Sequence, residues 1–156
     1  MDIKTEKKNN MYIREFLDYL VLEKGSSKNT ASGYERDLKL FFISVGKDVL
    51  EVKEDDIYKY IEKISSTLKR NSVLRKISSI RTFYKFCYLN KMTKEDPTNM
   101  IKSLKREKRL PEVLTLKEVK MIIDNCNHSS EGIRDKLILK LLIATGARVT
   151  EIINLK

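Results

Sequence analysis

Nine cations fall between Lys63 and Lys94 (Lys63, Lys69, Arg70, Arg75, Lys76, Arg81, Lys85, Lys91 and Lys94), and the stretch holds no Asp or Glu. Exposed helices normally intersperse acids with bases, because like charges one turn apart repel by a few tenths of a kcal/mol. The asymmetry therefore implies something anionic that offsets the repulsion. Helical phase adds to this: Val73, Ile77, Ile80, Tyr84 and Cys87 form an apolar stripe, while Arg75, Ser78, Ser79, Thr82 and Lys85 fall on the opposite side. Short hydroxyl side chains let a helix come close to a sugar-phosphate backbone. Arg and Lys then supply charge-assisted bonds to phosphate or base edges. A nucleic-acid-facing helix fits this composition best; a solvated lysine-rich surface helix is the competing reading.

A second anion-compatible feature lies upstream, where Lys28, Thr30, Ser32 and Gly33 fill the first turn of a helix opened by the candidate caps Ser27 and Asn29. Unpaired N–H groups at a helix start bind anions, and plain capping explains the same residues equally well. A third cluster (Lys102, Lys105, Arg106, Lys108 and Arg109) is either a solvated linker or a basic strap along the same polyanion. Other chemistry is sparse. Cys87 and Cys126 have no partner spacing for a metal site, no disulfide is expected, and Cys87 on the apolar stripe reads as core. The sole histidine, His128, sits in the polar loop NHSS and reads as a surface residue. Neither a metal nor a cofactor is implied.

The net charge of +10 and pI near 9.5 point to a polyanionic partner. No apolar run approaches the roughly 18 residues of a membrane span, and the polar start MDIKTEKKNN lacks a signal-peptide core, so the cytoplasm is the expected location.

The elements that must position these residues read as all-α. Residues 1–10 read as a disordered, solvated tail. A helix from Met11 to Lys24 carries Ile13, Phe16, Leu17, Leu20 and Val21 and stops at Gly25. A second carries Tyr34, Leu38, Phe41, Phe42 and Val45 and ends at Gly46. Glu54, Asp55 and Asp56 open a third, with Ile57, Tyr60, Ile61 and Ile64, ending near Ser65. The basic fourth runs from about Asn71 to Leu89. Together, residues 11–101 make one helical domain, and the charged, aperiodic 102–111, closed by Pro111, reads as a linker. In 112–156, Thr115 with Glu118 forms a capping box, an apolar helix spans 133–144, and a further helix starts near Val149 after a Thr-Gly break. The richness of that apolar helix calls for covering elements, so this second domain reads as truncated.

At residues 145–155, TGARVTEIINL, the chain resembles the first arginine box (Thr-Gly-x-Arg-x-x-Glu) of the tyrosine site-specific recombinases, the integrase family that includes the Xer-like resolvases. RDKLILKLL, LPEVLTLKEV, SSKNTASGYERDLKLF and NSVLRKISSIRTFYKF extend the resemblance to about residues 12–156. It implies a SAM-like core-binding domain of four or five helices that clamps duplex DNA, followed by the helical start of the catalytic domain. DNA-facing positions carried over are Lys28, Thr30, Ser32 and Arg36 on the second helix and Asn71, Ser72, Arg75 and Ser79 on the fourth. Lys69, Arg70, Lys76, Lys85 and Arg106 join them as cations of the same surface. Arg148 matches the first catalytic arginine, which would grip the non-bridging oxygens of the scissile phosphate, with Glu151 one turn on to orient it. Without that context, Arg148 and Glu151 would be an ordinary helix-start pair.

The family's hairpin lysine, His-x-x-Arg box, further His or Trp and C-terminal tyrosine nucleophile find no match among these residues; the last tyrosine is Tyr88. The leading expectation is a DNA-binding N-terminal portion of a recombinase whose full form cuts and rejoins DNA through a 3′-phosphotyrosyl intermediate. Its partner would be inverted-repeat half-sites of duplex DNA. The parent is expected as a tetramer on DNA and this chain alone as a monomer. A naturally short protein that occupies recombination sites without cutting is the alternative, and a protein-interaction module with an incidentally basic face is the third reading.

Overall fold

The computed structural model describes residues 2–101 and 113–155, and the chain divides into two compact units, residues 1–108 and 109–156. The described residues are helical, with no strand among them.

The first unit holds α1 (Ile3–Leu22), α2 (Lys28–Val45), a 3-10 turn (Val49–Glu51), α3 (Glu54–Ser65) and α4 (Arg70–Leu89). Each helix turns an apolar stripe inward. Ile13, Phe16 and Leu20 come from α1, Leu38, Phe41 and Phe42 from α2, and Ile57, Tyr60 and Ile64 from α3. The stripes converge on Phe83 of α4, whose ring meets Phe16 edge-on at 5.4 Å and Phe42 at 5.7 Å. Such pairs add about 0.5–1.5 kcal/mol each beyond area burial. Gly46 ends α2 in the left-handed region (φ 72°), its N–H bonded to Phe42 O at 2.8 Å, a conformation that suits glycine.

Two expectations are corrected here. Residues 1–10 are not a tail, because α1 starts at Ile3 and Asn9 is fully buried. The Asn9 amide donates to Lys47 O (2.9 Å) and accepts from Val49 N–H (3.0 Å), tying the first helix to the α2–α3 connection. Lys8 adds an ion pair to Asp48 (2.8 Å), which raises the lysine's pKa through that hydrogen bond. The second correction concerns α4, which packs against α1, α2 and α3 rather than against one layer. Lys76, Ser79, Phe83 and Phe86 are therefore buried along with the predicted stripe.

In the second unit, α5 (Leu116–Asp124) begins with the expected capping box: Thr115 N–H donates to Glu118 Oε2 (2.7 Å) and Glu118 N–H to Thr115 Oγ1 (3.3 Å). These bonds, backbone first and then side chain, hold the Glu118 carboxyl below its usual pKa. α6 (Ser130–Thr145) starts three residues earlier than its apolar pattern, because Ser129 caps it by accepting Gly132 N–H at 3.1 Å. α7 spans Val149–Ile153. Met121 and Ile122 of α5 and Leu137 and Ile143 of α6 are exposed. The segment 102–111, read above as a linker, lies outside the described residues.

Candidate nucleic-acid interface

An acid in the first turn stabilises a helix by about 0.3–1 kcal/mol, because it faces the positive end of the macrodipole. Among the described residues, α1, α3, α5, α6 and α7 each carry one: Glu6, the Glu54–Asp56 run, Glu118, Glu131 and Glu151. α2 and α4 carry none. Their starts bear Lys28, and Lys69 with Arg70, so fixed cations add to the positive dipole end where acids would have lowered it.

On α2, Ser27 caps the helix by accepting Thr30 N–H at 3.2 Å, and the Ser27 and Thr30 hydroxyls lie 3.0 Å apart. Ser27 is thus the cap, and Lys28, Thr30, Ser32 and Arg36 stay exposed beside it. On α4, Lys69 takes the N-cap position without a side-chain cap bond; it, Arg70 and Asn71 are exposed and Ser72 is half-buried. Arg75, Ser78 and Lys85 continue that exposed side down the helix.

Three predicted contact residues have other partners. Ser79 is fully buried and donates to Lys76 O at 2.8 Å, so it cannot reach a ligand. Lys76 is buried too, its Nζ 2.9 Å from Asp37 Oδ1. Arg75 keeps half of its side chain exposed and pairs through Nη1 with Asp37 Oδ2. Asp37 lies on the inner side of α2 with no side-chain exposure. Part of the anion that the acid-free run calls for is thus internal, and its sequence separation of 38–39 residues hides it from any local pattern. The only local signal is an acid next to the apolar phase of Tyr34, Leu38 and Phe41. Burial, and then the Asp37 charge, push Tyr60 up to about 12. Elsewhere in the run, Arg81 donates to Ile101 O and Lys63 to Ser44 Oγ (3.3 Å). Arg106 lies outside the described residues.

In the second unit, Thr145, Gly146, Ala147, Arg148 and Glu151 of TGARVTE each have a local structural role. Thr145 Oγ1 donates to Leu141 O (2.6 Å) and accepts Ala147 N–H (3.2 Å). Gly146 closes α6 at φ 63°. Arg148 takes the N-cap of α7, where its N–H donates to Glu151 Oε2 (2.8 Å) and its Nη1 to Oε1 (3.1 Å). The Arg148 side chain is 84% exposed, so its fork is held from one edge and open on the other. His128 lies exposed, and Tyr88 stands half-exposed on α4. These two units bring together an all-helical bundle with two acid-free helix starts and, separately, an arginine presented at the head of a short helix.

Comparison with known families places the chain among the integrase-type recombinases. The family described as "Phage integrase, N-terminal SAM-like domain" matches residues 13–91, and "Phage integrase family" matches residues 112–156. The chain belongs to the phage integrase family of tyrosine recombinases. It is 38% identical to the tyrosine recombinase XerD of Staphylococcus epidermidis over 94% of this chain and 52% of that protein. The XerD proteins of Staphylococcus haemolyticus (36% identity, 92% of this chain, 51% of that one) and Rhizobium meliloti (31%, 92% and 50%) are also similar. The chain spans about half the length of these curated relatives. No helix among the described residues is long and apolar enough to cross a membrane.

Proposed function

We propose that residues 1–101 grip duplex DNA through the N-terminal halves of α2 and α4, and that Arg148, oriented by Glu151, grips the scissile phosphate in a tyrosine recombinase. The observation that carries the reading is the pair of acid-free helix starts, on the two helices whose exposed sides bear Lys28, Thr30, Ser32, Arg36, Lys69, Arg70, Asn71, Ser72 and Arg75. Backbone N–H groups and short hydroxyls reach phosphate there, while the cations release counterions and supply most of the affinity. Lys85 and Arg106 extend the same field, and residues 102–111 serve as the linker to the catalytic part.

The activity of the whole recombinase is DNA strand breakage and rejoining through a 3′-phosphotyrosyl link, at inverted-repeat half-sites, within a tetramer in the cytoplasm. In that reaction Arg148 stabilises the charge that builds on the phosphate oxygens. The similarity runs through the arginine box itself, which favours this reading over a short non-catalytic occupant of recombination sites.

The test is a fluorescence-anisotropy titration of a labelled duplex at several salt concentrations. Affinity is expected to fall steeply with salt, and Lys28→Glu or Lys69→Glu to weaken binding and make the salt slope shallower. Lys59→Glu on α3 is expected to have little effect. Binding that is absent at low salt, or equally sensitive to all three reversals, would remove the assignment.

A further inference from the structure

Asp37 presents an arrangement that stability alone does not explain. A buried carboxylate is costly, and an apolar residue of similar size would serve a core at least as well. Here one carboxylate takes two cations on neighbouring positions of α4, one oxygen each. The two cations differ in setting: the Lys76 side chain is 9% exposed and the Arg75 side chain 51%. Lys76 therefore neutralises Asp37 inside the protein, leaving one net positive charge, and that charge is the guanidinium at the surface. Only Nη1 of Arg75 has a partner among the described residues, so most of its planar set of donors remains open outward. The same carboxylate joins α2 to α4, the two helices with acid-free starts.

We infer that Asp37 is a positioning residue: it holds the Arg75 guanidinium in a fixed orientation toward DNA phosphate or a base edge, with Lys76 balancing its charge. This rests on the DNA-binding reading above. It makes a prediction whose sign is opposite to that of simple electrostatics. Asp37→Asn keeps size and shape but removes a negative charge beside a cationic surface, so charge alone predicts tighter binding. An unheld arginine loses its fixed geometry and must be ordered again on binding, so positioning predicts weaker binding.

The experiment titrates a fluorescein-labelled duplex of mixed sequence with the full chain and five variants, Asp37→Asn, Arg75→Lys, the double variant of those two, Arg75→Ala and Lys69→Ala, each confirmed folded by its tyrosine emission. The expected result is at least about fivefold weaker binding for Asp37→Asn despite its higher net charge. Arg75→Lys, which keeps the charge and loses the fork, should weaken binding by a similar factor, and the double variant should be no worse than either single one. If Arg75→Ala weakens binding but Asp37→Asn matches or exceeds the wild type, the positioning role is overturned while the DNA-facing surface stands. Should Asp37→Asn fail to fold, Arg75→Lys decides: wild-type affinity there means that the fork need not be held, which also overturns it. If Arg75→Ala and Lys69→Ala both bind as wild type, the surface assignment falls and the inference with it.

Discussion

Replacing Asn9 with alanine should destabilise the first unit by roughly 1–4 kcal/mol. The Asn9 amide makes one bond to the buried Val49 N–H and one to the partly accessible Lys47 carbonyl. An orphaned buried N–H costs about 1–3 kcal/mol, and losing a bond to a group that water can reach costs about 0.5–1.5 kcal/mol. Opposing this, alanine is the better helix former by about 0.6 kcal/mol. For a unit of this size, each kcal/mol lowers the melting temperature by about 4–8 °C, so a fall of at least about 4 °C is expected. The readout is specific to this unit, because all seven tyrosines lie between residues 12 and 88 and the chain has no tryptophan. Urea unfolding followed by tyrosine emission should show a lower midpoint with an unchanged slope. A solvated tail would behave in the opposite way, with alanine neutral or slightly stabilising. A change of less than about 0.5 kcal/mol would refute the reasoning about how α1 is anchored.

Further outcomes follow from single groups. Cys87 is buried, and that burial, more than its polar neighbours, pushes its thiol up to about 12; a thiol reagent near about pH 8 should label Cys126 in the native protein and Cys87 only after unfolding. Burial works to raise the Asp56 pKa, but hydrogen bonds from Lys47 and from Lys53 N–H, with the charges of Lys47 and Lys59, bring it below the ordinary value. Its stabilising contribution is therefore present above about pH 3.9 and lost as pH falls through the lower folded value; Asp56→Asn should flatten that acid limb in urea midpoints measured against pH. Gly→Ala inside a helix ordinarily stabilises by about 0.5–1 kcal/mol, yet Gly132→Ala should destabilise, because its Cβ would overlap the Asn127 carbonyl oxygen and lie 2.8 Å from the carbonyl carbon. Faster amide exchange over residues 130–135 is the check, and slower exchange would contradict the packing.

Local periodicity made most of the first unit legible. Phe16, Leu38, Phe41, Ile57 and Ile80 recur at helical spacing, and Gly46 and Thr115 mark ends that the structure keeps. The features that were misread are those set by partners far away in sequence. Asn9 looks like part of a polar tail until Lys47 and Val49 come to meet it. Ser79 looks like one of the small residues on an outer face, yet it is buried because α4 is covered by three helices rather than one. Asp37 stands 38–39 residues before Arg75 and Lys76, so the internal share of the charge balance in the Lys63–Lys94 run is invisible to any local pattern. At the arginine box the local reading went further, since Thr145, Gly146, Arg148 and Glu151 build their turn from neighbours within four residues. Why that turn presents an arginine at all is legible only through the family.

The most direct test of the central claim is amide hydrogen exchange of the full chain with and without a saturating DNA duplex. The account predicts slowed exchange at residues 28–32 of α2 and 69–75 of α4, with the acid-rich start of α3, residues 54–56, unchanged. Protection centred on α3, or no protection at either acid-free helix start, would contradict it.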